Sequence, residues 1–407
     1  MFQNIFTEIR HRHFWRKATY SELSGFYIAE LLRAVAMNLA TVFIYAFLFV
    51  KGYSLIYIAI FSVYYQLMML IFGVLSVYLI AFLGANRCLL ISNFIYIPAL
   101  LSFSMLDQWG ELAISLGGLF MAFSTAMYNT SYNVLFSEIK SSKNCAKEVG
   151  YAIIFQEIAG IVTPLVGGLL ASRFGAEISM WLATALFVVA AISLLKAQAV
   201  AKKHHYLNFR GFPWRAYSSA ILGQFGRGFS VVTVNFWPLY MMLFVVPGVG
   251  AYNLIGGTSS LSAIVACLLA FLLGRTLDRK PQSAVWAFRL GIGLKSIIMM
   301  TRVLISSILG VILSEIGFAT TSIMYRMPYA KARFDAADKS GSRVVMELAM
   351  SFVWNASAVV ASIVLLICLV YIPDVKQALS SFFVLAGVIF SLFATSRFPM
   401  FRKPQTG

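Results

Sequence analysis

Charge is what this sequence has least of. Only 12% of its 407 residues are Asp, Glu, Lys or Arg, about half of the roughly 25% usual in a soluble protein. With 60% hydrophobic residues and a mean hydropathy of +0.83, the chain cannot present a water-facing surface along its length, which excludes a soluble globular fold. Acids are scarcer than bases, 15 against 32, for a formal charge of +17. In a soluble protein that excess would suggest nucleic acid; here the bases fall between apolar runs, and no nucleic-acid partner is expected. Four cysteines, Cys88, Cys145, Cys267 and Cys368, stand far apart without a CxxC pair, so neither a disulfide framework nor a zinc site is implied. The four histidines, His11, His13, His204 and His205, lie in polar segments, and no metal or cofactor is expected. No paired acidic motif, nucleotide-binding loop or other catalytic constellation stands out, so the sequence does not read as an enzyme. Residues 1–20 lack an apolar core, and no cleavable signal is expected there. That segment reads as a basic, aromatic-bearing stretch on the membrane surface, or else as a disordered tail.

What is present is apolar length. Charge-poor runs of roughly 20 residues recur, the length a helix needs to cross about 30 Å of hydrocarbon. They are continuously apolar rather than alternating, which excludes a β-barrel. Punctuation by charge, Gly and Pro predicts an all-α polytopic membrane protein of twelve helices, at 22–50, 54–80, 87–106, 112–137, 148–172, 177–196, 216–246, 254–275, 283–300, 303–327, 342–371 and 377–396. Two six-helix halves, 21–196 and 216–397, are joined by a basic linker, 197–215, with a tail at 398–407. Lys and Arg collect in cytoplasmic loops. With both termini cytoplasmic, this count leaves only Lys51, Arg173, Arg302 and Lys376 outside. Compact loops favour a prokaryotic inner membrane.

The halves resemble each other. Sliding "LGQFGRGFSV" (222–231) over "IAELLRAVAM" (28–37) sets Gln224 on Glu30 and Arg227 on Arg33, with Asn38 and Asn235 following in each helix; a similar slide sets Glu347 on Glu157. Repetition of charged positions in corresponding helices argues for an internal duplication.

Local motifs point the same way. After helix 8, "GRTLDRKPQSAVW" (274–286) resembles the Gly-x-x-x-Asp-Arg loop of the major facilitator superfamily, through Gly274, Asp278 and Arg279. The first-half counterpart, "VYLIAFLGANR" (77–87), keeps Gly84 and Arg87 but has Ala81 in place of the Asp. Helix 5 carries Pro164, Gly167 and Gly168, similar to the family's Pro-x-x-Gly-Gly pattern, with Thr163 where antiporter members often have Gly; helix 4 lacks the family's arginine. The resemblance implies two pseudo-symmetric bundles around a central cavity lined by helices 1, 4, 7 and 10, with helix 5 beside helix 1 and helix 11 beside helix 7. It also implies a cytoplasmic gate at Gly274, Asp278 and Arg279.

Ionised groups inside a membrane face partners or a wet cavity. On the implied packing, Arg33–Glu157 and Arg227–Glu347 are expected as buried ion pairs, serving either as helix ties or in proton coupling. Two readings stand for Glu30, pairing with Arg33 or touching substrate, and two for Glu315, lining the cavity or pairing with Lys295. Asn38, Tyr128, Asn129, Gln224, Asn235 and Trp237 complete the candidate substrate and coupling cavity, each also readable as a packing residue. The function expected is secondary transport of a small or amphiphilic solute by alternating access, with protons as candidate coupling ion and efflux as a candidate direction. A lipid-moving protein of the same fold is the alternative, and a membrane enzyme fits less well. A monomer surrounded by membrane lipids is expected.

Overall fold

The structure, a computed structural model, describes residues 20–139, 145–196, 207, 209–247, 251–279 and 281–398. The N-terminal segment, most of the linker and the tail beyond Phe398 lie outside the described residues. Long helices follow one another through the chain. α1 runs Tyr20–Ala40, passes through a 3₁₀ turn, Thr41–Phe43, and continues as Ile44–Val50. Then come α2 (Leu55–Leu83), α3 (Ala85–Ser104), α4 (Glu111–Ile139), α5 (Cys145–Phe174) and α6 (Ala176–Lys196). The second half comprises α7, in two pieces (Trp214–Leu222 and Phe225–Phe244), α8 (Ala251–Arg279), α9 (Pro281–Thr301), α10 (Ile308–Lys339), α11 (Arg343–Tyr371) and α12 (Val375–Ser391). Among the described residues eleven segments are long and apolar enough to cross a membrane. α7 is the twelfth long element, interrupted at Gly223–Gln224.

The chain's chemistry sets the ends. Ser54 and Ser307 cap α2 and α10 by accepting from Tyr57 N and Gly310 N, and Asp374 does the same for α12. Gly84, the residue kept from the first-half loop motif, turns the chain between α2 and α3 at φ +85°, a conformation that costs a side-chain-bearing residue.

α10 departs most from expectation. The sequence predicts a stop at 327, whereas the helix extends to Lys339 and takes in Lys331 and Arg333. The cause is spacing. Glu315, Ser322, Arg326, Tyr329 and Arg333 recur at steps of seven, four, three and four, so they share one helical stripe. Arg302, expected in an outer loop, is instead 1% exposed inside the bundle.

The halves meet along α2–α11 and α5–α8. Ser62 bonds Ser362 at 2.9 Å, and Asn355 Nδ2 donates to Met69 O at 3.3 Å. At α5–α8 the backbones nearly touch: a Cβ on Gly168 would stand 2.5 Å from Tyr252 O, and one on Gly256 2.3 Å from Pro164 O. Gly167 likewise abuts Leu39 O of α1, at 2.7 Å from its missing Cβ. Small residues permit this approach where lipid offers helices little hydrophobic drive to associate. Away from these seams Phe82, Val162, Leu268 and Leu272 are exposed, as a lipid-facing surface requires.

At the end away from the linker, Lys51 is held by Asp107 and Glu177, each at 2.6 Å. Partial burial opposes the ammonium charge, but the two carboxylates outweigh it and raise the Lys51 pKa above the ordinary lysine value. The stabilisation is therefore fully present below that ordinary value and is lost only as pH climbs through the raised one.

Gly168→Val is expected to destabilise the protein by roughly 1–3 kcal/mol, through overpacking against Tyr252 O. Gly257→Ala, where an added Cβ would meet nothing within 4 Å, should be neutral or slightly stabilising. Thermal unfolding of the detergent-solubilised protein separates the two.

Candidate functional site

A cavity of about 470 Å³ lies between the halves. Its first-half wall is made by Met37, Asn38, Thr41 and Tyr45 of α1, Tyr65 of α2, Met121 of α4 and Glu157 of α5. The second-half wall comes from α7 (Asn235, Trp237), α8 (Thr258, Ser259, Ser262), α10 (Glu315, Phe318, Ser322, Arg326) and Arg302. Thr41 reaches this wall from the 3₁₀ turn of α1 and bonds Tyr96 OH at 2.8 Å.

The charges are arranged around this space. Arg302 lies between the rings of Trp237 and Phe318, at 4.3 and 4.2 Å, and Nη2 reaches Glu315 Oε1 at 2.5 Å. The other Glu315 oxygen accepts from Ser262 at 3.1 Å. Across the cavity floor Arg326 Nη1 approaches Glu157 Oε1 at 3.6 Å, a loose and partly exposed pair joining α10 of one half to α5 of the other. The halves also touch above and below. Towards the linker end, Asn133 donates to Glu347 at 2.9 Å, Ser137 to Asp338 at 3.2 Å, and Phe136 packs on Phe334 with ring centroids 5.0 Å apart. Towards the far end, Asn235 bonds Tyr45 OH at 3.3 Å and Tyr45 packs on Phe236 at 5.4 Å.

Both ion pairs expected from the sequence are absent. Arg33 turns away from α5 into a pocket of α3, α4 and α6, where it bonds Asn93 at 2.5 Å and stacks on Tyr128 at 3.8 Å; Glu157 faces the cavity and Arg326. Arg227 and Glu347 differ in depth. Arg227 stands thirteen residues into α7 and Glu347 four residues into α11, a mismatch of about 13 Å at 1.5 Å per residue. Glu347 instead receives two bonds from Arg333. The pairing of Glu315 with Lys295 also gives way, to Glu315–Arg302.

Five of the expected cavity residues, Asn38, Glu157, Asn235, Trp237 and Glu315, line it. Glu30, Arg33 and Tyr128 form a buried cluster nearer the linker end, with the Tyr128 hydroxyl donating to Glu30. The second half repeats this cluster: Tyr329 OH donates to Gln224 Oε1 at 2.8 Å, and Arg227 lies over the Tyr329 ring at 4.6 Å. Asn129 is partly exposed and lines neither cluster nor cavity. Glu347 belongs to the linker-end contact. Gly274, Asp278 and Arg279 fall in the last turns of α8, with their side chains outside the described residues. Arg302 and Arg326 were missed as cavity residues. Arg326, eleven residues after Glu315 and hence on its face of a helix, was findable once α10 was allowed its full length.

The family model described as Major Facilitator Superfamily matches residues 26–362. Comparison with curated proteins yields no match. Among solved structures, the chain is similar to the MFS transporter FucP in the outward conformation, with 15% identity, 91% of this chain and 97% of that one covered, and a TM-score of 0.64. A variant of the E. coli fucose:proton symporter FucP aligns with 16% identity over 91% and 97%, at a TM-score of 0.63. At that identity the likeness concerns the fold.

Arg302→Met should cost about 3–5 kcal/mol, because it strands a buried Glu315 carboxylate. The double variant Arg302→Met/Glu315→Gln should recover most of that loss, read by thermal unfolding.

Proposed function

The chain belongs to the major facilitator superfamily, and from that premise we propose that it is a secondary transporter carrying a small polar solute through the central cavity by alternating access, coupled to protons. The observation that carries the coupling is the Glu157–Arg326 pair, which spans the halves at the cavity with 3.6 Å between charged atoms. Opening towards the far end separates Tyr45 from Asn235 and Phe236. Opening towards the linker end separates Asn133 from Glu347 and Ser137 from Asp338. In either motion α5 moves against α10, and Glu157 parts from its arginine. A carboxylate left alone in a poorly hydrated cavity is neutralised by a proton, so the parting ties protonation to the conformational cycle. The neighbour FucP is a fucose:proton symporter, which agrees with proton coupling in this fold.

The linker end is assigned to the cytoplasm of a prokaryotic inner membrane. Arg210, Arg215, Lys331, Lys339 and Arg343 gather there, whereas Lys51 at the far end is matched by two carboxylates.

In proteoliposomes, Glu157→Gln should abolish accumulation driven by a pH gradient and leave solute counterflow within a few-fold of the parent. Accumulation that still follows the pH gradient in this variant would overturn the coupling role.

A further inference from the structure

The nature of the solute can be read one step further, on the transporter reading just given, from an imbalance of charge. Within the spanning helices each carboxylate described above has its cation: Glu30 lies in the field of Arg33, while Glu157, Glu315 and Glu347 meet Arg326, Arg302 and Arg333. Among the described residues of the bundle interior two cations remain, both in the second half. Among the described residues Arg227 has the Gln224 amide oxygen and the Tyr329 hydroxyl as its hydrogen-bond partners, at 3.0 and 2.8 Å. Lys295, 4% exposed, donates to Ser322 Oγ at 3.1 Å and Tyr325 OH at 3.3 Å and lies 4.0 Å from the centre of the Phe318 ring. Among the described residues no ion pair includes it.

Lys295 stands directly behind the cavity wall, since Ser322 and Phe318 both line that wall. A second observation points the same way. Trp237, 3% exposed and also in the lining, has its indole Nε1 buried without a hydrogen-bond partner. Beside it, Arg302 commits Nε to Ser314 and Nη2 to Glu315, two of its five N–H donors. The Glu315 oxygens are both occupied. This wall therefore offers donors without matching acceptors, around one unmatched positive charge. An ammonium answered by hydroxyls and aromatic rings but by no carboxylate is costly in a low-dielectric interior, and a bound anion relieves the cost.

We infer that the cavity takes a small organic monocarboxylate, received at Trp237 Nε1 and Arg302, with Lys295 setting the preference for the acid over its neutral analogue. Asn38 and Tyr45 of the first-half wall and Ser259 of α8 supply amide and hydroxyl groups for the polar remainder of the solute. The volume of about 470 Å³ falls within the roughly 300–1,000 Å³ of small-molecule sites.

The test uses the full chain, purified and reconstituted, with lactate against lactamide, gluconate against gluconamide, and chloride alone. Ligand-dependent thermal shifts give affinities, and counterflow reports passage. The acid should bind at least tenfold tighter than its amide. Lys295→Gln should bring that ratio close to one, and Lys295→Arg should keep it. A lysine that served only the packing would leave the ratio untouched. The wild-type ratio decides the matter even if Lys295→Gln fails to fold. The inference is overturned if the amides bind as well as the acids, if the ratio survives in Lys295→Gln, or if chloride protects and no carboxylate does. If solutes of other charge exchange but no acid is preferred, only this inference falls. If nothing exchanges, across these probes and a panel of neutral and cationic solutes, the transporter reading falls with it.

Discussion

A membrane interior supplies no water to a charge, and most of the charge buried in this protein is answered along one helix. The stripe on α10 places Glu315 against Arg302, Ser322 against Lys295, Arg326 against Glu157, Tyr329 against Arg227 and Arg333 against Glu347. Each of these partners comes from a different element: the turn after α9, α9 itself, α5, α7 and α11. Five surrounding segments are thereby registered on a single spine, and the position of the cavity follows from it. This also explains why the helix continues to Lys339. Ending it at 327 would have left Glu347 buried without Arg333, a loss of the order of 3–5 kcal/mol for a stranded charge.

The internal duplication has kept geometry while changing charge. Glu30, Arg33 and Tyr128 have counterparts in Gln224, Arg227 and Tyr329, with a tyrosine hydroxyl donating to the side-chain oxygen and the guanidinium over the tyrosine ring in both. The same hydrogen bond forms whether its acceptor is a carboxylate or an amide. The exchange of Glu for Gln therefore preserves the packing of the first helix of each half and removes one negative charge from the second. The positive charge left without a carboxylate in the interior of that half resides on Arg227 and Lys295.

Much of this architecture was legible from the sequence because it follows from length and spacing. Apolar runs gave the all-α membrane fold, and the Glu30/Gln224 and Arg33/Arg227 correspondence made the repeat visible. Pairing was less legible. Periodicity fixes the angle between two residues on one helix but not the rotation of that helix against its neighbour, so Arg33 and Glu157 could share adjacent helices and still face opposite ways. A second difficulty lay in treating charges as helix ends. That rule holds for most of the chain, but it stops α10 at 327 and puts Arg302 into a loop, whereas stacking between Trp237 and Phe318 allows Arg302 to lie buried. The clue was the seven-four-three-four spacing from Glu315, which a loop has no reason to keep.

The same ledger of charges indicates where the protein can move. Arg302–Glu315 and Arg333–Glu347 each lie within the second half, are almost fully buried, and bond at 3.0 Å or less. Breaking either would leave two largely desolvated charges unpaired. Glu157–Arg326 differs on each count: it crosses between halves, its atoms are 3.6 Å apart, and its side chains are 21% and 42% exposed. Its dissociation therefore costs least, because the pair is the longest of the three and its side chains are the least buried. The hydrogen bonds that close the two ends, Asn133–Glu347 and Asn235–Tyr45, each have a neutral amide as donor. They can be exchanged for water at about 0.5–1.5 kcal/mol for a neutral acceptor, or about 1.5–3 kcal/mol where the acceptor is charged. Buried charge pairs inside the second half and weaker polar contacts between the halves make that bundle internally stiffer than the contact between the two.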